Sequence, residues 1–271
     1  MTLVLTDLDG TLLDSSEYIS DYSLDVINHF IQNGGCFSYA TARSIVTASK
    51  ITKGLEIITP VICNNGSYIV DSISGKLLQT NFFSTDEVEY ISSVLISHNI
   101  YPVMQSFING VEKLSYIKEY VTNAMQHYLN SRIGDPRRRV VSTSSDLYLG
   151  DIFRFGCMDS EENLLEIKDI FEADTRFYCI YTKEVYSNEK SFEILPKTVS
   201  KANAALQLKD MLGCDKMIVF GDEMNDIPLF QVADEKYATA NAVDELKEIA
   251  TTVIDSNDND GVAKWILVNL L

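Results

Sequence analysis

The chain has 271 residues, 46% hydrophobic and 10% aromatic, with a mean hydropathy near zero. That is enough apolar material for one large or two smaller globular cores, and too much for a disordered chain. A net charge of −17 and a pI near 4.5 argue against nucleic acid or an anionic membrane surface as partner, so an anionic ligand would need a local cation or a metal.

No apolar run approaches the ~20 residues that span a bilayer. The first residues show no basic stretch, long apolar stretch or small-residue cleavage site, so the expected location is the cytoplasm. The opening run TLVLTDLDGTLLD is apolar and β-branched up to Asp7 and Asp9, which predicts a buried strand and a turn. Next, Leu24, Ile27, Phe30 and Ile31 share one helical face, and Gly34 can close that helix. CFSYAT predicts a second strand and ARSIVTASKIT a second helix. PVICNNGSYIV predicts a strand, a turn through Asn65 and Gly66, and another strand. The alternation argues for a parallel sheet covered by helices.

From Phe83 to Phe192 the rhythm changes. A helix in STDEVEYISSVLISHN precedes two strand-like runs, YPVMQSF and EKLSYI, and a helix in KEYVTNAMQHYLNSR. The segment GDPRRR reads as a loop. LYLGDIFRFGCM predicts a strand, SEENLLEIKDIFEA a helix, and RFYCIYTKEVYSNEKSFEIL further strands. Adjacent strand pairs favour an antiparallel sheet with helices on one face. After Pro196 the α/β alternation returns, through KMIVFGD, KYATAN and TTVID and a last helix from Gly261. The expected architecture is therefore α/β: a Rossmann-like, doubly wound parallel sheet in residues 1–82 and 193–271, with an α/β domain inserted at 83–192. Cys36, Cys63, Cys157, Cys179 and Cys214 show no CxxC spacing and read as reduced core thiols. His29, His98 and His127 lie far apart in helix-like stretches and read as structural or surface residues.

In an open parallel sheet, ligands bind beyond the carboxyl ends of the strands. Asp7 and Asp9 follow the first strand, Thr41 the second, and Asp222 and Asp226 follow KMIVFG; Lys201 begins a predicted helix. Clustered carboxylates repel unless a cation neutralises them, and an all-oxygen donor set suits Mg²⁺. With Asp7 as nucleophile, an aspartyl-phosphate would divide one hard displacement into two easier steps. Asp9, two residues along an extended segment, points elsewhere and can protonate the leaving oxygen and then activate water. Each feature alone has a plain explanation: a solvated turn, a helix cap, a surface lysine. Their occurrence together, in order, each at a strand end or helix start, favours the chemical one.

DLDGTLLD, YATAR, VSKANAAL and GDEMND resemble the four motifs of the haloacid dehalogenase superfamily, and ICNNGSYI and SNDNDGVAKWI resemble further stretches of its Cof-type, class IIB branch. That resemblance covers the whole chain and implies a phosphatase with an α/β cap between the second and third motifs. It implies that Asp7 is the nucleophile and a Mg²⁺ ligand. Asp9 would be the acid/base, with its main-chain carbonyl on the metal, and Asp222 would complete the protein's share of the coordination. Thr41, the N–H groups of Leu8 and Ala42, and Asn225 would hold the phosphoryl group, and Lys201 would balance its charge. Asp226 and Arg43 would support these groups from behind. Ala42 stands where glycine is more usual, which questions the close backbone approach there.

The reaction implied is Mg²⁺-dependent hydrolysis of a small phosphorylated metabolite, a sugar phosphate first and a phosphorylated cofactor such as pyridoxal phosphate or FMN second. A sugar phosphomutase and a non-catalytic binding protein are the alternatives. The chain would act as a monomer or weak homodimer. Arg137, Arg138 and Arg139 can attract a second anionic group, although a solvated loop with local ion pairs is the favoured reading. The aromatic run around Tyr181 can line a sugar or a ring, or face a core.

Overall fold

Leu3, Val4 and Leu5 are all completely buried, as in a strand covered on both faces. That strand, β1 (Thr2–Thr6), pairs in parallel on both sides. The structure, a computed structural model, describes residues 1–183 and 190–271. It divides into two compact units, Met1–Thr80 with Val199–Leu271, and Asn81–Thr198.

In the first unit β1 is followed by α1 (Asp21–Gln32), β2 (Cys36–Tyr39), α2 (Ile45–Ile51), β3 (Val61–Cys63), β4 (Tyr68–Val70) and β5 (Leu77–Thr80). The Ser20 hydroxyl caps the start of α1, and Gly34 follows its end at φ +87°. The sequence predicts β3 as a strand of the parallel sheet. Instead β3, β4 and β5 form their own antiparallel sheet, and β3 meets β2 only through a parallel bridge between Ala40 and Ile62. The turn through Asn64–Gly66 reverses the chain before β3 can extend along β2.

The second unit contains α3 (Thr85–Ser97), β6 (Val103–Ile108), β7 (Val111–Ile117), α4 (Asn123–Asn130), β8 (Arg138–Val141), α5 (Ser144–Leu147), β9 (Asp151–Asp159), α6 (Glu161–Glu172), β10 (Phe177–Lys183) and β11 (Lys190–Pro196). Its sheet runs β10-β11-β9-β6-β7-β8. Because β11 pairs with β9 and β10, the chain leaves this unit after Thr198. The sheet is not wholly antiparallel, since β8 lies parallel to β7. Helices cover both faces rather than one. Met104 packs with residues of α3 and α6, while its neighbour Val103, on the opposite face, packs with α4. Phe177, Cys179, Tyr181 and Phe192 belong to the first of these cores, Tyr178 is exposed, and Tyr186 lies outside the described residues.

The chain returns to the first unit with α7 (Lys201–Met211), β12 (Lys216–Gly221), α8 (Ile227–Val232), β13 (Glu235–Thr239), α9 (Asp244–Ile249), β14 (Thr252–Ile254) and α10 (Gly261–Asn269). The parallel sheet has the order β14-β13-β12-β1-β2. Leu3, Leu5, Met217 and Val219 bury one face against α7, α8 and α9. On the other face the Trp265 ring of α10 packs edge-on to Phe220 at 5.3 Å, and α1 lies against α10. This is the doubly wound α/β arrangement expected. No helix among the described residues is long and apolar enough to cross a membrane.

The three successive arginines are not a solvated cationic patch. Arg137 is buried and donates to Glu112 at 2.9 Å and to Asp135 at 2.6 Å. Arg138 donates to the Tyr116 hydroxyl, and Arg139 to the Asp146 carbonyl and the Ser115 hydroxyl. Their pairing explains why a stretch that reads as loop forms β8. Removing one member of a buried ion network leaves a charge without its partner, at about 3–5 kcal/mol. Arg137→Leu is therefore expected to cost that much in urea unfolding; a loss below about 1 kcal/mol would show that the network contributes no more than a surface pair.

Candidate active site

The connections leaving β1 and β12 run in opposite directions across the sheet, so the crevice between their carboxyl ends is the switch point of the fold. Both strands end in aspartate there. Asp7 is fixed by its N–H, which donates to the Phe220 carbonyl at 3.0 Å. The following residues, Leu8–Leu12, make a wide helical turn closed by the Leu13 N–H on the Leu8 carbonyl. Gly10 stands in it at φ +72°, and a Cβ there would sit 2.1 Å from Asp222 Oδ2. Only glycine allows this turn and this approach. The Thr11 hydroxyl donates to Asp222 Oδ1 at 2.7 Å.

Lys201 is the first residue of α7, after the Ser200 cap. Its ammonium, 1% exposed, lies 3.0 Å from Asp7 Oδ1 and 2.7 Å from Asp226 Oδ1. Asp226 is completely buried, and its Oδ2 accepts from the N–H groups of Asp222 and Glu223. Asp226 thus ties Lys201 to the loop after β12. Asp7, Asp222 and Asp226 each place an oxygen within 4.8 Å of the others. Both Asp226 oxygens are already engaged, whereas Asp7 Oδ1, though ion-paired, has no directed hydrogen bond. Three carboxylates face one ammonium, so the donor set fits a hard cation held by Asp7 and Asp222.

Burial dominates the electrostatics. It pushes the Asp7 carboxyl far above the usual carboxylate range, to about 8, with the Lys201 cation opposing the rise. It lifts Asp222 to about 6, against the Thr11 hydroxyl bond. Burial alone would lower Lys201, but the Asp226 and Asp7 carboxylates more than reverse that and hold it protonated.

The other expected residues divide. Thr41 is buried; its hydroxyl accepts from the Arg43 N–H at 3.0 Å. Leu8 offers its main chain, its side chain being core. Ala42 is exposed and not among the residues of positive φ, so its methyl is carried without strain. Asp9 is not with Asp7: its carboxylate takes bonds from Arg43 Nε at 2.8 Å and Nη2 at 2.5 Å, and Arg43 also pairs with Glu17. Asn225 donates to Asn65 Oδ1 at 3.4 Å. Thr11, Glu17 and Asn65 were not anticipated as site residues. The hydroxyl of DGT and the second asparagine of CNNG were the signals for Thr11 and Asn65; nothing in the sequence marked Glu17.

A profile of the haloacid dehalogenase-like hydrolases matches residues 4–266. The chain belongs to that family. It is one of the family's phosphatases, as the four motifs and the Cof-type resemblance led one to expect. This hydrolase is 27% identical to the 5-amino-6-(5-phospho-D-ribitylamino)uracil phosphatase YwtE of Bacillus subtilis, over 98% of the chain and 97% of the relative. It is 25% identical to YitU, a phosphatase of the same name in that organism, over 97% and 96%. Among solved structures, TM0651 of Thermotoga maritima shares the fold with a TM-score of 0.81 at 22% identity, over 99% of this chain and 97% of the other.

Protonation of Asp222 is what its burial favours, so the sign of the pH effect follows. The stability its proton contributes is complete below pH 3.8 and is lost as pH rises through about 6. Without divalent cations, Asp222→Asn should exceed the wild type by about 3 kcal/mol at pH 7 and converge with it below pH 4. Urea titrations at both pH values check this; equal stability at pH 7 would mean the carboxylate ionises there at no cost.

Proposed function

We propose that this phosphatase hydrolyses small phosphomonoesters with Mg²⁺, through a phosphoryl group carried on Asp7. The observation that carries the reading is the Asp7 carboxylate, buried beside Lys201 and within reach of Asp222, with one oxygen lacking a directed hydrogen bond. A buried cluster of like charges is costly to keep without a use for it.

In this reading Asp7, Asp222 and the Asp9 main-chain carbonyl would hold Mg²⁺. Bound there, Mg²⁺ would screen the carboxylates from an anionic substrate. The Thr41 hydroxyl, the N–H groups of Leu8 and Ala42, and the Asn225 carboxamide take the phosphoryl oxygens, and Lys201 balances the growing charge. Asp7 attacks phosphorus, the ester oxygen leaves with a proton from Asp9, and Asp9 then removes a proton from the water that frees phosphate. Because Arg43 grips Asp9, the acid/base carboxylate must turn from that pair toward the leaving oxygen. Asp226 and Arg43 act by holding Lys201 and Asp9.

The inserted unit, residues 83–192 in the sequence reading, selects the substrate. The relatives named for a phosphorylated ribitylaminouracil support a phosphorylated sugar or sugar alcohol, including one that bears a ring. The enzyme works in the cytoplasm on free metabolites.

Phosphate release from sugar, polyol and cofactor phosphates should require Mg²⁺, and Asp7→Asn should lower turnover by at least ~10⁴-fold while circular dichroism stays unchanged. Turnover near wild type in Asp7→Asn would refute the nucleophile assignment; release unaffected by chelation would refute the metal.

A further inference from the structure

One motif remains without a role: the CNNG run between β3 and β4. Asn64, Asn65 and Gly66 take successive φ angles of +48°, +55° and +94°. Single left-handed residues are tolerated at asparagine and glycine, but three in a row persist only where the surroundings hold them.

What holds them is the site itself. The Asn65 N–H donates to the Thr41 carbonyl and the Asn64 N–H to the Arg43 carbonyl, both at 3.0 Å. The segment bearing Thr41 and Ala42 is thus clamped at both ends. The Asn64 carboxamide donates to the Tyr68 hydroxyl, which in turn accepts the Ile45 N–H at the start of α2. A Cβ on Gly66 would lie 2.4 Å from the Ser200 carbonyl, so the turn also abuts the residue before Lys201. Finally, Asn65 Oδ1 accepts the Asn225 carboxamide. One four-residue motif touches the phosphate loop, the base of the lysine helix and the asparagine after β12.

We infer that Asn65 is a positioning residue for the phosphate-binding groups: its main-chain N–H fixes the Thr41 loop, and its carboxamide oxygen orients Asn225. The inference rests on the reading of Thr41 and Asn225 as phosphate ligands. Asn65 does not touch the phosphoryl group. It sets the rotamer from which the Asn225 amide donates, and at 3.4 Å it does so through a long, weak bond.

The test is a double-mutant cycle on the Mg²⁺-supplied enzyme, with the best substrate of the panel. Asn65→Gly removes the side chain and keeps the left-handed backbone; Asn225→Ala removes the group it orients. Asn65→Gly should lower kcat/KM about 2- to 3-fold, the low end of the worth of a neutral hydrogen bond. Asn225→Ala should lower it at least as much, in the same one of kcat or KM. The double variant should fall no further than Asn225→Ala. A general loss of stability is carried by both Asn65→Gly proteins and cancels in the cycle. Wild-type kcat/KM in Asn65→Gly, or losses that multiply in the double variant, would overturn the inference and leave the phosphatase reading standing. A wild type that releases no phosphate from any substrate would overturn both.

Discussion

Everything at the site depends on one buried ammonium shared by two buried carboxylates. Lys201 joins the end of β1, through Asp7, to the loop after β12, through Asp226. Removed from water, each of these charges is costly alone, and burial accordingly raises the Asp7 carboxyl to about 8 against the pull of the Lys201 cation. The gathering of three carboxylates around one ammonium, rather than any one ion pair, sets the electrostatics of the crevice. Asp226 contributes most by being fully committed: with one oxygen on Lys201 and the other on two main-chain N–H groups, it has one place to be, and so has the lysine.

The scaffold reaches this density by giving up side chains where the backbone must pass. Gly10 lets the turn after β1 close onto Asp222, and Gly221 leaves room for the Asp226 carboxylate, which a Cβ would meet at 2.8 Å. Ala42 marks the contrast. There the chain is exposed and its φ is not positive, so the backbone carries a methyl without strain. Asp9, by comparison, is held outside the cluster by Arg43, which keeps the second carboxylate two residues away from adding to the same charge.

The side chains that meet at the ends of β1 and β12 were legible because each stands where a periodic pattern breaks: a β-branched run into an aspartate, a capping serine into a lysine. The doubly wound sheet followed from the alternation of such runs. The remaining features depend on contacts and turns that composition and periodicity do not display. β8 reads as a polar loop because its arginines look solvated, whereas Arg138 and Arg139 donate to Tyr116 and Ser115 of β7 and the preceding Arg137 is buried against Glu112 and Asp135. β3 reads as a parallel strand because its composition is apolar, and a turn of left-handed asparagines decides otherwise. Helices on both faces of the second sheet could not be read from strand periodicity, since Met104 and Val103 are both apolar and both buried. Asn65 has no chemistry of its own to announce it; its contacts do.

The pairing of β1 with β12 also has a consequence for how the protein is made. Every strand of the second unit's sheet is synthesised before Lys216, the first residue of β12. Until then β1 can pair with β2 alone, its other edge has no partner, and Asp226, which holds Lys201 at the site, is not yet made. Closure of the parallel sheet spans more than 200 residues, a separation at which loop-closure entropy makes late and slow assembly the rule. The site is therefore among the last parts of the molecule to exist, and the nascent chain carries its acidic strand end as an open edge through most of its synthesis.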